Sequence, residues 1–346
     1  MRWDGQSVRA DDGALPGLAR LGFVRSVRTP EFDGITFHEI LCKSALNKVP
    51  NAAMLPFRYT VNGYRGCSHA CRYCFARPTH EYLDFDPGAD FDTQVVVKTN
   101  VAEVLTRELG RRTWTRETVA LGTNTDPYQR AEGRYRLMPG ILTALAESGT
   151  PYSILTKGTL LRRDLPLIAE AAHHGPGASV SISLAVIDPG LQRELEPGTP
   201  SPQTRLALIS AIREAGLDCH VMVAPVLPGL TDSVEHLDAL LRQIAVAGAT
   251  SATVFGLHLR GSTRGWFMQW LQRAHPELVF QYRSLYRRGA YLPPEYRAEL
   301  RARVAPMLAR YRLTGQPPRV QLSAPPTARA GAVSSEVAAP AHPTLF

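Results

Sequence analysis

No stretch of the chain approaches the ~18 consecutive apolar residues that a membrane-spanning helix needs. The opening residues, Met1 to Gly13, carry Arg2, Asp4, Arg9, Asp11 and Asp12 and lack the apolar centre of a secretory signal. These two absences set the expectation of a cytoplasmic protein with no membrane partner. Cysteine is scarce: Cys42, Cys67, Cys71, Cys74 and Cys219 are all there are. An odd count in a cytosolic chain argues against a disulfide framework. No second Cys-x-x-Cys pair exists, so the common two-pair zinc arrangement is also missing. Acidic residues are in deficit, 31 Asp and Glu against 39 Lys and Arg, for a formal charge of +8. That excess favours anionic partners and leaves nucleic acid open as one of them, although an arginine-rich surface is often only a solvated one.

What is present is a cluster. Gly66-Cys67-Ser68-His69-Ala70-Cys71-Arg72-Tyr73-Cys74-Phe75 holds three of the five cysteines in the spacing C-x3-C-x2-C. Three thiolates on one short loop can bind three irons of a cubane cluster and leave the fourth iron open. Zinc is the competing metal, but it asks for four ligands, and His69 sits too close in sequence to its neighbours to complete a comfortable tetrahedron. The other alternative, three buried thiols gathered by chance, fits poorly with a Gly-Cys-Ser-His loop. Cys219 sits in an apolar strand and reads as a small core residue. Cys42 reads as inert.

Around the cluster the chain alternates strands and helices. Ile35 to Leu41 could be a strand or a short helix, and Val95-Val96-Val97 is a short extra strand. Core strands are expected at Phe57 to Tyr64, Val119 to Leu121, Tyr152 to Leu155, Ser179 to Leu184, Cys219 to Val223 and Ala252 to Gly256. Asn100 with Glu103, and Asp232 with Glu235, have the spacing of capping boxes, and Ser201-Pro202 opens a further helix. Alternation of this kind implies a parallel sheet. Six units suit a partial (β/α)6 barrel of the TIM type, with a doubly wound open sheet as the alternative. The expected organisation is an N-terminal lead at 1–56 packing on the barrel and a (β/α) core at 57–275. A helical C-terminal extension follows at 276–322, then a disordered tail at 323–346 rich in Pro, Ala, Ser and Thr.

The cysteine spacing after a first strand, with Tyr73 just before the third cysteine, resembles the radical S-adenosylmethionine (SAM) superfamily. Further segments resemble its spore-photolyase-like (DNA repair photolyase-like) subgroup. They are Lys43 to Lys48, Tyr64-Arg65-Gly66-Cys67, Ala76 to Tyr82, Thr123 to Gln129, Leu155-Thr156-Lys157-Gly158 and Glu196-Pro197 followed by Pro200-Ser201. The resemblance spans residues 35 to 260 or so. It implies a [4Fe–4S] cluster on Cys67, Cys71 and Cys74, whose open iron chelates SAM. One electron, from a donor such as flavodoxin or ferredoxin, then cleaves SAM to a 5′-deoxyadenosyl radical. That radical abstracts hydrogen from an unknown substrate. A non-catalytic Fe–S or zinc-binding protein is the alternative.

The same resemblance suggests SAM contacts on the loops after the strands. Tyr73 would border the adenine, with Pro225 and Pro228 framing its seat. Asn124 and Asp126 would meet the amino group, although an Asx turn before Pro127 would equally explain Asp126. Lys157 would meet SAM or a substrate anion. Ser181 and Ser183, on one side of their strand, would face the ribose. Arg205 would take the SAM carboxylate, with an ion pair to Glu196 as the competing role. One feature departs from the subgroup. Spore photolyase has a hydrogen-donating cysteine near the end of the second strand, and Gly122-Thr123-Asn124 stand here instead. Tyr73, Tyr128 or an external reductant would then have to close the cycle.

Overall fold

Short apolar strands followed by amphipathic helices can only pair in parallel if each helix crosses back over the sheet. The order of the strands then decides between a barrel and an open doubly wound sheet. The structure, a computed structural model, describes residues 21–50 and 55–315. The strands are β1 (Phe23–Val27), β2 (Thr36–Ile40), β3 (Leu46–Lys48), β4 (Tyr59–Val61), β5 (Tyr64–Arg65), β6 (Gln94–Lys98), β7 (Val119–Leu121), β8 (Tyr152–Thr156), β9 (Ala178–Ser183), β10 (Cys219–Val226) and β11 (Ser251–Gly256).

The larger sheet has seven strands in the order β11-β10-β9-β8-β7-β4-β3. From β4 to β11 every neighbouring pair is parallel. Each new strand is laid beside the one before it, with no point of reversal. A doubly wound sheet needs such a reversal, so the sheet winds in one direction as a partial (β/α)6 barrel. It is left unclosed, with β3 antiparallel on its first edge. The smaller sheet, β1-β2-β6-β5, uses both segments whose character the sequence left undecided or marginal, Thr36–Ile40 and Gln94–Lys98. The tail expected at 323–346 lies outside the described residues.

The helix starts differ from expectation where a cap residue has a stronger partner. The helix Val101–Leu109 does begin after Asn100, but that side chain makes no cap bond. Its Oδ1 instead accepts from the Cys42 amide at 2.8 Å and its Nδ2 donates to the Cys42 carbonyl at 3.1 Å. The helix Val234–Val246 is capped by Ser233, one residue after the expected Asp232. Asp232 is drawn away by Gly229 N at 2.8 Å and the Tyr296 hydroxyl at 2.6 Å. Ser201 caps the helix Pro202–Glu214 as expected.

A buried carboxylate fixes the first half of the barrel. Glu132 is fully buried. It accepts from the Tyr64 hydroxyl at 2.6 Å, from the Leu137 and Met138 amides at 3.0 Å, and from Arg163 at 2.7 Å. One side chain thus satisfies two orphan amides at the start of the helix Leu137–Glu147 and ties β5 to the turn after β8. Glu132→Ala removes all four bonds at once and leaves buried donors unmet. The expected loss is about 3 kcal/mol of unfolding free energy, read from urea denaturation of the purified chain. A change below about 0.5 kcal/mol, the range of ordinary surface substitutions, would show that the network carries no stability.

Candidate functional site

The loop that bears the cysteines leaves β5 through Gly66, whose φ of +80° is a left-handed conformation suited to glycine. Several of the backbone groups that follow have partners from elsewhere in the chain. The Gly66 carbonyl accepts from Thr125 Oγ1 at 2.7 Å and Gln129 Nε2 at 3.1 Å. The Ser68 amide donates to Gln129 Oε1 at 2.8 Å. The amides of Cys67 and Arg72 donate to the carbonyls of Phe91 and Leu195, both at 2.9 Å. Arg77, completely buried, reaches the Cys71 carbonyl with Nη2 at 2.9 Å while it pairs with Asp92 at 2.9 Å. Thr263 Oγ1 donates to the Cys74 carbonyl at 3.1 Å.

The loop borders a cavity of about 380 Å³ at the C-terminal ends of the parallel strands. Cys67, Cys71 and Cys74 all line it, and none is in a disulfide. The other lining residues come from the strand ends in turn: Gly122 to Asp126 after β7, Leu155 to Lys157 on β8, Ser183 on β9, Met222, Ala224 and Pro225 on β10, and Phe255 to His258 with Arg260 from β11 onward. Burial pushes the Cys71 thiol well above its ordinary value and the Cys74 thiol up to about 11. Both are therefore neutral at pH 7 until a metal displaces the proton.

The residues singled out from the sequence fall into two groups. Tyr73, Asn124, Asp126, Lys157 and Ser183 line the cavity with the cysteines, as does Pro225. Ser181, Arg205 and Pro228 do not. Asp126 does form the Asx turn, accepting from the Tyr128 amide at 2.9 Å. It also accepts from Thr156 Oγ1 and from the Lys157 amide at 2.7 Å, and lies 3.3 Å from His69 Nδ1. Burial alone would raise its carboxyl, but His69 and these bonds hold it down at about 2. Its oxygens are thus already engaged, whereas the exposed Asn124 side chain is open to the cavity.

Lys157 Nζ sits 2.6 Å from Ser183 Oγ and 5.7 Å from the centre of the Tyr73 ring. The Tyr73 hydroxyl donates to Glu196. Arg205 Nη2 meets the same carboxylate at 2.6 Å, with both side chains fully buried. Burial would raise Glu196, yet Arg205, Lys157 and the Tyr73 bond bring it to about 2. Cys42 and Cys219 belong to the main hydrophobic core and do not line the cavity. Tyr128 is buried away from it too.

Several residues of the site carried no assigned role in the sequence. Arg77 and Gln129 lie within segments that resembled the subgroup, but their work is on backbone carbonyls and amides, which no spacing reveals. Phe255 near the end of β11, with His258 and Arg260 just beyond it, forms the far rim. There the Phe255 and His258 rings stack at 5.6 Å, Tyr291 meets His258 edge-on at 4.6 Å, and Arg260 lies 4.9 Å over Tyr291. A composition-level signal existed only as the general basic charge.

A family model described as the radical SAM superfamily matches residues 61–241, which includes all three cavity cysteines and ends before β11. The chain belongs to the radical SAM superfamily. It is a radical SAM enzyme, and its family implies a [4Fe–4S] cluster, SAM and a reductant. An uncharacterized protein of Mycobacterium tuberculosis is 74% identical over 351 residues, covering 100% of both chains. One from Methanocaldococcus jannaschii is 26% identical over 201 residues, 58% of this chain and 70% of the other. Among solved structures, spore photoproduct lyase complexed with dinucleoside spore photoproduct aligns with a TM-score of 0.58 at 17% identity, over 80% of this chain and 79% of that one. A doubly substituted form of that lyase with bound AdoMet and the dinucleoside gives 0.54 at 18% identity, over 75% and 76%. At these identities the likeness is one of fold.

The donor set fits a radical SAM cluster better than a single ion. Among the described residues no group of three or more His, Cys, Asp or Glu side chains is placed to hold one metal ion. A cubane spreads its three thiolates over three irons and needs no such convergence. The loop also has no slack. Gly198 N donates to the His69 carbonyl at 3.0 Å, and a Cβ on Gly198 would overlap the Ser68 carbonyl oxygen. Gly198→Ala must therefore push the cysteine loop off its seat. Iron retained after anaerobic reconstitution should fall by more than half while circular dichroism stays unchanged, an effect expected of backbone overlap in a packed region. Full iron content in that variant would show the loop to be more pliable than its bonding implies.

Proposed function

We propose that Cys67, Cys71 and Cys74 hold the [4Fe–4S] cluster, that SAM occupies the adjoining cavity, and that the substrate is a nucleic acid met by the aromatic and basic rim. The observation that carries this reading is the shared cavity: three free thiols, the Lys157–Ser183 pair and the Asn124 side chain all border one space. When bound, the cluster and SAM together supply one-electron cleavage of the sulfonium bond and abstraction of a substrate hydrogen.

The chain's own residues then divide the remaining work. Lys157 offers the cavity its cation, suited to the SAM carboxylate, with Ser183 fixing the ammonium. Asn124 offers an amide oxygen to the amino group. Asp126 holds the β7 and β8 loops together, and Tyr73 walls the cluster side. Leu155, Met222 and Pro225 give apolar surface that keeps water from the reacting atoms. At the rim, Phe75 is 58% exposed, Phe255 37% and Tyr291 44%. Exposed rings beside Arg260 are the arrangement on which bases stack and phosphates pair. The formal charge of +8 agrees with such a substrate.

Reconstituted protein should bind about four irons, by cluster type, and release 5′-deoxyadenosine from SAM when reduced. Any one of Cys67→Ala, Cys71→Ala and Cys74→Ala should abolish both, whereas Cys42→Ala and Cys219→Ala should change neither. A full cluster in Cys71→Ala would sink the assignment.

No thiol other than the three cysteines of the cluster loop borders the cavity, so a substrate radical has no protein thiol to quench it. Spore photoproduct DNA supplied with SAM and dithionite should therefore yield few or no restored thymines. Efficient multiple-turnover repair would overturn that expectation. Binding of a single-stranded oligonucleotide should weaken steeply between 50 and 200 mM salt and drop further in Arg260→Ala. Salt-independent binding, or none, would remove nucleic acid as the substrate class.

A further inference from the structure

We infer that Arg205 acts on SAM binding through Glu196: the buried pair is a positioning unit that holds Tyr73 in place and keeps the Lys157 ammonium available to an anion in the cavity. The inference rests on the radical SAM reading above and differs from the direct contact between Arg205 and the SAM carboxylate that the family resemblance implies.

Glu196, Arg205, Ser183 and Lys157 form one run of contacts. Glu196 Oε2 takes Arg205 Nη2 at 2.6 Å. Arg205 Nη1 donates to the Ser183 carbonyl at 3.1 Å. The hydroxyl of that same Ser183 meets Lys157 Nζ at 2.6 Å. Lys157 Nζ in turn stands 3.8 Å from Glu196 Oε1, a loose ion pair beyond hydrogen-bond reach, and the Tyr73 hydroxyl donates to the same oxygen. Of the four, Lys157 and Ser183 line the cavity and the two fully buried members, Glu196 and Arg205, do not.

A buried ion pair is a weak device for stability, since desolvation cancels most of the attraction and an apolar pair of similar volume does as well. Its position supplies a better reason. Glu196 closes the helix Pro189–Leu195, and its carboxylate reaches the tyrosine between Cys71 and Cys74. That bond sets the Tyr73 ring against the cavity. A bare carboxylate at that depth would be costly and would draw the other cation beside it, Lys157, into contact. Arg205 satisfies the charge from the far side. Lys157 then keeps its bond to Ser183 and only a loose ion pair with Glu196, so its ammonium can still turn to an incoming anion.

Four proteins test this: Arg205→Gln, Glu196→Gln/Arg205→Gln, Lys157→Met and the unaltered chain. Each is reconstituted anaerobically, matched for iron content and melting temperature, and titrated with labelled SAM by equilibrium dialysis. The SAM-induced change in the electron paramagnetic resonance spectrum of the reduced cluster gives a second readout. Arg205→Gln should raise the SAM Kd roughly tenfold or more, because the bare Glu196 carboxylate then claims Lys157. The neutral double variant should return the Kd to within about threefold of the unaltered chain and restore the spectral change, because nothing then competes for Lys157. Lys157→Met should lose at least about tenfold.

If the double variant binds as weakly as Arg205→Gln, Arg205 meets SAM itself and the inference is wrong. Normal affinity in Arg205→Gln also overturns it. Where Arg205→Gln fails to fold, the double variant leaves no buried charge unpaired and decides the matter against the unaltered chain alone. Absence of SAM binding in the unaltered chain would count against the radical SAM reading of the cavity, a different failure.

Discussion

A loop of eight residues that must aim three sulfur atoms at one space can pair little of its own backbone, here Ala70 N to the Cys67 carbonyl and Cys74 N to the Cys71 carbonyl. Every other feature of the site answers that constraint. Backbone groups of Gly66, Cys67, Ser68, His69, Cys71, Arg72 and Cys74 are met by Phe91, Thr125, Gln129, Leu195, Gly198, Arg77 and Thr263. These partners come from the segments between β5 and β6, from the loop after β7, from the end of the helix beyond β9 and the turn after it, and from the helix beyond β11. The loop is therefore tethered to several separate segments, although its composition of Gly, Ser, His and Ala suggests a flexible turn. Tethering of this kind is what positions a first shell of ligands.

The charges around the cavity follow a second rule. Both buried carboxylates near it, Asp126 and Glu196, are held ionised by neighbours and have no free oxygen facing the cavity. The Lys157 ammonium and the Asn124 amide are not consumed in this way. A ligand that brings its own carboxylate and ammonium thus finds a cation and a neutral acceptor, with both nearby carboxylates already paired. The apolar walls from Leu155, Met222 and Pro225 make those few polar contacts count for more than they would in water.

Much of the fold was legible because it depends on period and chain order. Apolar strands such as Val119–Leu121 and helix signals such as Ser201-Pro202 are local, and each fell where its residues placed it. Strand order was not legible, since nothing in the alternation separates a singly wound sheet from a doubly wound one. The cysteine loop was legible because C-x3-C-x2-C is local too. What escaped were pairings across long separations. Asn100 and Asp232 have the spacing of cap residues, yet Cys42 and Tyr296 claim their side chains. Arg205 and Glu196 were each visible, but which of two partners the guanidinium takes depends on depth of burial, and residue order does not encode that. The rim residues His258 and Arg260 lie after the last strand, where a sequence offers no periodic frame.

The bond between Thr263 and the Cys74 carbonyl spans 189 residues, which bears on the order in which the protein can be made. At 5–20 residues per second, about 10–40 s of synthesis separate the last cysteine from the threonine that fixes it. Through that interval a nascent chain already has all three thiols, late in it also the whole stretch matched by the family model, 61–241, and still lacks the final tether of its loop. Iron delivered to such a chain would meet thiols whose spacing is not yet set. Loading is thus best matched to a chain whose last strand and following helix are in place, so biogenesis of the centre trails translation, and a fragment ending at the family boundary would be a poor recipient for its metal.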